Sequence, residues 1–239
     1  MVSRIGLIIP SSNRMVEQEM VHAYPPDVVP HIARLRMTGP HHVGLEKLMP
    51  RIVDAAGALS DAKCEVITFH CTVSSMEEGP EGELRVLDAL KHGGAKQART
   101  TATAIRAALD ALQAKRIAFI TPYDAHKTED EAKFLEAIGF QVVFDKGFDM
   151  AGSDQYCATP SSFWHDRLLE VARPDADVYF ISCANVSTFP ALDDLEKKLG
   201  KPVISSNQTV VWDALRHIGW RDVSGCPGSL FKTRDLAPT

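Results

Sequence analysis

Short runs of Val, Ile, Leu and Phe alternate along this chain with longer stretches in which apolar residues return every three or four positions. The runs at 4–9, 29–35, 65–70, 96–99, 116–121, 141–147, 177–182 and 202–205 predict strands. Helical patterns fill the intervals. In TTATAIRAALDAL (100–112), Ala104, Ile105, Ala108, Leu109 and Leu112 fall on one helical face. DAHKTEDEAKFLEAIGF (124–140) opens on Asp124 as an N-cap and stops at Gly139, while PALDDLEKKLGK and SNQTVVWDALRHIG stop at Gly200 and Gly219. Strands that are apolar throughout and separated by helices predict an α/β fold with parallel sheets covered on both faces. Ligands of such sheets sit at the carboxyl ends of the strands.

The pattern repeats. RIGLIIP (4–10) and RIAFITP (116–122) share Arg, Ile, Ile and Pro in register at an offset of 112 (116 − 4). EVITFHCTVSS (65–75) and DVYFISCANVS (177–187) align at the same offset (177 − 65), which sets Cys71 on Cys183 and Ser75 on Ser187. Two segments agreeing on one shift indicate a duplicated α/β lobe. We therefore expect an N-terminal lobe of 1–100 with 206–239 crossing back onto it, and a C-terminal lobe of 101–205.

The repeat gives two cysteines a meaning. A single cysteine at a strand end is commonly a small buried hydrophobe. Two at equivalent strand ends can face each other across a cleft between lobes. Paired thiols can attack one carbon and protonate its neighbour, or exchange a proton on opposite faces of one carbon. Cys64, Cys157 and Cys226 have no partner at that offset and read as core thiols.

Composition narrows the classes. The chain has 239 residues, of which 45% are hydrophobic and 24% charged, as in an ordinary globular protein. A net charge of -5, with no Lys/Arg cluster longer than two residues, speaks against nucleic acid as a partner. No apolar run approaches membrane-spanning length, and the N-terminal apolar run, broken by Pro10, is too short for a secretory signal, so the expected location is cytoplasmic. Five unclustered cysteines without a CxxC pair predict free thiols, neither a disulfide framework nor a zinc site.

The segments GLIIPSSN (6–13), HCTVSS (70–75), TPY (121–123) and 182–215 resemble the aspartate/glutamate racemase superfamily. Within it they are similar to the branch of maleate cis-trans isomerases and arylmalonate decarboxylases. The resemblance covers nearly the whole chain. It implies two pseudo-symmetric α/β lobes with parallel four-stranded sheets, an active site at the lobe interface, no cofactor and no metal. It implies a small carboxylate or dicarboxylate substrate and a homodimer or larger homo-oligomer. Carried over by position, Cys71 is the nucleophile that adds to a double bond, and Cys183 is the proton donor and acceptor. Asn13 and Tyr123 hold substrate carboxylates. Thr72 and Val73 match a dioxyanion site, and Ala184 and Asn185 offer the amides that follow Cys183. The leading expectation is a maleate-type isomerase. A one-thiol decarboxylase or racemase is the alternative, and a two-lobed binding protein is the reading from another class.

Two departures from the maleate isomerases stand out. The run Thr72–Ser75 is polar where theirs is apolar, and Ser153 and Asp154 stand where theirs carry an Asn; an acidic group there would repel a dicarboxylate. Of the remaining polar residues, Asn13 and Ser206 also suit helix capping, the stronger reading for Ser206. His70 precedes Cys71 in an extended strand, so the two side chains point to opposite faces. His126 and His165 read as surface residues, and Glu77-Glu78 and Asp193-Asp194 as solvated helix faces.

Overall fold

The computed structural model describes residues 2–221, 223 and 225–233. Of the expected first-lobe segment 206–239, positions 222, 224 and 234–239 lie outside the described residues. Two four-stranded parallel sheets form the frame. One comprises β1 (Ser3–Pro10), β2 (Val28–Leu35), β3 (Val66–Phe69) and β4 (Ala98–Thr100), in the order β2-β1-β3-β4. The other comprises β5 (Arg116–Thr121), β6 (Gln141–Gly147), β7 (Val178–Ile181) and β8 (Val203–Ser205), in the order β6-β5-β7-β8. The helices are α1 (Leu45–Asp61), α2 (Thr72–Met76), α3 (Gly79–His92), α4 (Thr101–Ala111), α5 (Ala125–Ala137), α6 (Ser153–Ala158), α7 (Ser161–Glu170), α8 (Phe189–Leu199) and α9 (Ser206–His217). Among the described residues, no helix is long and apolar enough to cross a membrane.

The duplication extends to strand register. Ile5 lies opposite Val66, and Ile117 opposite Val178, each pair shifted by 112 (117 − 5 and 178 − 66). The outer pairs agree as well: Arg4 faces Val29 as Arg116 faces Gln141, until a bulge after Ile117 sets Ala118 opposite Phe144. The strand expected at 96–99 begins later, at Ala98. Gly94, at φ +92°, turns the chain out of α3, and the bend at 96–97 completes that turn before pairing with β3 begins.

Alternation along the strands divides the core. Ile5, Leu7 and Ile9 of β1 and Ile117 and Phe119 of β5 face one shared interior with α4 and α9. Ile8 faces the other way, toward Leu48, Ile52 and Leu59 of α1 and Val86 of α3. Ala118 and Ile120 do the same toward Trp164 and Leu168 of α7 and Leu192 and Leu195 of α8. Helices α4 and α9 pack against each other, and every residue of α9 from Ser206 to Arg216 is buried. That helix also touches β3, β8 and the short helical turn Val16–Met20. Arg99 of β4 clasps the buried Asp213 of α9 with two 2.7 Å bonds. Helix ends follow the sequence cues. Asp124 caps α5 by accepting from Lys127 N, and Gly200, at φ +64°, ends α8.

One carboxylate joins the two halves. Glu19, buried on Val16–Met20, meets the start of α8 and accepts from the backbone amides of Thr188 and Phe189. It also accepts from Ser187 Oγ at 3.2 Å, Thr188 Oγ1 at 3.3 Å and Asn207 Nδ2 at 2.9 Å. Since Asn207 donates to Glu19, its Oδ1 is the acceptor for His70 Nε2 at 3.0 Å, and His70 Nδ1 reaches Thr101 Oγ1 at 3.0 Å. Glu19→Ala strips an acceptor from two backbone amides and three side chains at once. We expect a loss of about 3 kcal/mol or more in urea unfolding, because buried donors left unpaired carry their full desolvation cost.

Candidate active site

Parallel strands deliver their carboxyl ends to one side of each sheet, and here the two sets of ends share a cavity of about 820 Å³. Pro10 to Asn13 enter it from the end of β1, Cys71 to Ser74 from β3, Tyr123 from β5 and Cys183 to Asn185 from β7. The cavity thus brings together every residue singled out from the sequence: Asn13, Cys71, Thr72, Val73, Tyr123, Cys183, Ala184 and Asn185. Met37, Thr38, Gly39, Glu77, Lys127, Asp154 and Tyr156 complete much of its wall and rim. A second depression of about 790 Å³ over β2 and α1 carries Arg34, Arg36 and Arg51 and contains neither Cys71 nor Cys183.

Cys183 sits in a strained backbone at φ +141°, a region that side-chain-bearing residues rarely occupy. Its amide donates to Ser206 Oγ at 3.1 Å, and its sulfur accepts from the Asn185 amide at 3.3 Å. The same Ser206 oxygen accepts from Thr72 Oγ1 at 3.0 Å. One hydroxyl at the start of α9 therefore ties the loop after Cys71 to Cys183 itself. Asn13 performs two jobs. Its Oδ1 caps the following turn by accepting from Met15 N and Val16 N at 3.0 and 3.1 Å. Its Nδ2 donates across the cleft to Ala184 O at 2.6 Å, which leaves the second N–H of that amide for a ligand. The Asn185 side chain is spent on the interface, with Oδ1 accepting from Arg14 N at 2.9 Å and from Cys157 Sγ at 3.0 Å.

Burial governs the electrostatics. It pushes the Cys71 thiol up to about 11, against the Ser74 hydroxyl and amide, which favour the thiolate. It pushes Cys183 up to about 12, opposed by hydrogen bonds from Tyr123 and the Asn185 amide. Both thiols are therefore protonated near neutral pH. Beneath them, on α5, lies Glu131, 1% exposed and pushed up to about 8 by burial. Ser182 Oγ donates to its Oε2 at 2.6 Å.

Residues 5–231 match the family model described as arylmalonate decarboxylase. The chain belongs to that family. It is an enzyme of the aspartate/glutamate racemase superfamily, in the branch shared by maleate isomerases and arylmalonate decarboxylases. It is 30% identical to the maleate isomerase of Nocardia farcinica over 231 residues, covering 91% of this chain and 90% of that one. It is 26% identical to the arylmalonate decarboxylase of Bordetella bronchiseptica over 218 residues, covering 90% of each. Its fold superposes on a Nocardia farcinica maleate cis-trans isomerase mutant with a covalently bound succinylcysteine intermediate. That match has a TM-score of 0.89 at 28% identity and covers 98% of this chain and 100% of that one.

Several expectations change within this family frame. Glu77 is not on a solvated face: it is half-buried at the end of α2, lines the cavity, and burial raises its carboxyl. Ser206 does not cap α9; Ser205 does, accepting from Gln208 N at 3.2 Å, which frees Ser206 to hold Cys183. His165 is no surface residue but bridges α7 to α8 through Asp194 at 2.8 Å, whereas His126 is exposed. His70 points away from the cavity into the interface, where burial lowers it to about 4. Asp154 is paired with Arg14 at 2.6 Å, which offsets the charge expected to repel an anion. All five cysteines are free, and among the described residues no cluster of three or more His, Cys, Asp or Glu could hold a metal.

Neither Glu131 nor Tyr156 stands out in the sequence as a site residue, and Ser206 reads there as a cap. Only Glu131 left a signal there, as the 112-residue counterpart of Glu19 (131 − 19). Its titration carries a prediction. The unfolded chain releases this proton near 4.5, and the folded chain keeps it to about 8. Between those values the folded state binds more protons. The stability from this group is therefore complete below about pH 4.5 and lost as pH rises toward about 8. The melting temperature of Glu131→Gln, compared with wild type from about pH 5 to 8 by scanning fluorimetry, should lack that decline.

Proposed function

We propose that this enzyme is a cofactor-independent cis-trans isomerase of a small dicarboxylate, converting maleate to fumarate with Cys71 and Cys183. The observation that carries the reading is the presence of both thiols, from equivalent strand ends, in one cavity. Cys71 releases its thiol proton to water and adds as the thiolate to one alkene carbon, with the Ser74 hydroxyl and amide favouring that thiolate. Cys183 gives its proton to the neighbouring carbon. The former double bond is now single and rotates. Cys183 then takes a proton back, the carbon–sulfur bond breaks, and the trans alkene leaves with the Cys71 thiolate restored. From maleate, the intermediate of this sequence is a succinylcysteine, the species named for the Nocardia farcinica enzyme.

The carboxylates are met by the free N–H of Asn13, by the amides of Thr72, Val73 and Ala184, and by the Tyr123 hydroxyl and Asn185 amide, which give up the Cys183 sulfur when substrate enters. Tyr123 serves as a neutral donor, because burial holds its hydroxyl well above the ordinary value. A second reading, malonate decarboxylation through Cys183 alone, is favoured by the family model that matches and by the Ser74 hydroxyl in the cavity. Cys71 then has no part in turnover. The proposal includes a cytoplasmic homo-oligomer, with 1–100 and 206–239 as one lobe and 101–205 as the other.

Proton NMR of the purified protein with maleate should show fumarate appearing. Cys71→Ala and Cys183→Ala should each lower kcat by about 1,000-fold or more, the loss typical of a removed nucleophile or acid. Mass spectrometry of Cys183→Ala with maleate should reveal an adduct on Cys71. Untouched maleate, carbon dioxide release from an arylmalonate and full activity of Cys71→Ala would together replace this reading with the decarboxylase.

A further inference from the structure

Glu19 and Glu131 occupy equivalent places in the two lobes, on the first helical segment after β1 and β5. Both are buried, yet their surroundings differ. Glu19 accepts from two backbone amides and three side chains. Glu131 accepts from Ser182 Oγ alone, and its Oε1 is buried without a hydrogen-bond partner. Burial raises both carboxyls; at Glu19 the donors pull against it, whereas Glu131 has one donor and is pushed up to about 8. The difference begins at one position. Ser182 stands where the first lobe has His70 (182 − 70 = 112), and His70 reaches Glu19 only through Asn207. In the second lobe the carboxyl group touches the residue before the thiol directly.

That contact falls where the chain needs support. Cys183, next in sequence, holds its φ of +141° against an intrinsic cost. Its amide is pinned by Ser206, its sulfur by the Asn185 amide, and the preceding side chain by Glu131. We propose that Glu131, as a neutral carboxylic acid, is a positioning residue: it anchors Ser182, fixes the strained Cys183 peptide, and keeps negative charge away from the two thiols. The proposal rests on the two-thiol reading of the cavity for its catalytic consequence, though not for its effect on thiol reactivity.

The titratable groups facing Glu131 are Cys71, Tyr123 and Cys183, each of which its charge would push upward. Glu77, at the end of α2, adds the same sign at Cys71. On α5 itself Lys127 is paired with Asp124. Of the other elements packed on α5, α3 carries Arg85 paired with Glu78, and β6 has Asp145 and Lys146 in solvent. Among these described groups the cations are paired elsewhere or stand in solvent, and none is ion-paired with Glu131.

Glu131→Gln keeps an acceptor for Ser182 and stays neutral at every pH; Glu131→Ala removes the anchor. With maleate near pH 7, Glu131→Ala should lose about 100-fold in kcat with little change in KM, the size expected for a misplaced catalytic group. Glu131→Gln should recover most of that loss and should lack an alkaline fall in kcat/KM that wild type shows with an apparent pKa of about 8. Iodoacetamide alkylation of Cys183, followed by peptide mass spectrometry against pH, needs no substrate. Its midpoint should move to lower pH in Glu131→Gln, because the thiolate then forms without a neighbouring charge. Superimposed wild-type and Glu131→Gln alkylation curves would overturn the proposal, as would Glu131→Ala retaining wild-type kcat. A shifted alkylation curve without maleate turnover would keep the positioning role and remove only the isomerase reading. If Glu131→Ala does not fold, the two Glu131→Gln profiles carry the test.

Discussion

Buried hydrogen bonds between the two lobes are the constraint on which the rest of this enzyme depends. Each sheet ends its strands in polar loops, and a lobe alone would leave those loops in water. Packed together, they bury donors and acceptors that must find partners across the interface. Glu19 closes on the start of α8, Asn13 on Ala184 and Ser206 on both Thr72 and Cys183. None of these contacts is local in sequence. They fix the distance between the strand ends, and so the width of the cavity in which the thiols stand.

The same burial sets the chemistry. A thiol shielded from water resists ionisation, and both cysteines are held well above the ordinary range. The cavity then holds two neutral acids and a ring of N–H and O–H donors. Such a site favours an anion that brings its own charge and gives those donors something to bind. Ser74 at Cys71, and Tyr123 and the Asn185 amide at Cys183, are the groups that favour the thiolate against that burial. Glu77 and Asp154, at the wall and rim, show how such a site tolerates carboxylates: burial raises the first toward neutrality and Arg14 pairs with the second.

The shift of 112 that relates Cys71 to Cys183 along the strands also relates Glu19 to Glu131 in the helices. It could not have told them apart, because one meets five donors and the other meets one, and the donors come from distant segments. Ser205 and Ser206 were equally ambiguous. Both are good caps by residue type, and the helix start that separates them is set by pairing of β8 with β7. Strand alternation sets His70 and Cys71 on opposite faces, and the place of His70 in the interface agrees with that argument.

The sequence by itself determined the α/β class, the duplicated lobes, the strand ends bearing thiols and the stops of α5, α8 and α9. These follow from periodicity and short-range chemistry, which any segment carries within itself. Only the tertiary structure decided that Cys71 and Cys183 share one cavity, that burial raises both thiols, that Glu77 faces the site, and that Glu19 meets five donors where Glu131 meets one. Those outcomes depend on burial and on the count of hydrogen-bond partners. Both quantities are set largely by residues from different elements, which meet only when the chain folds and the lobes close.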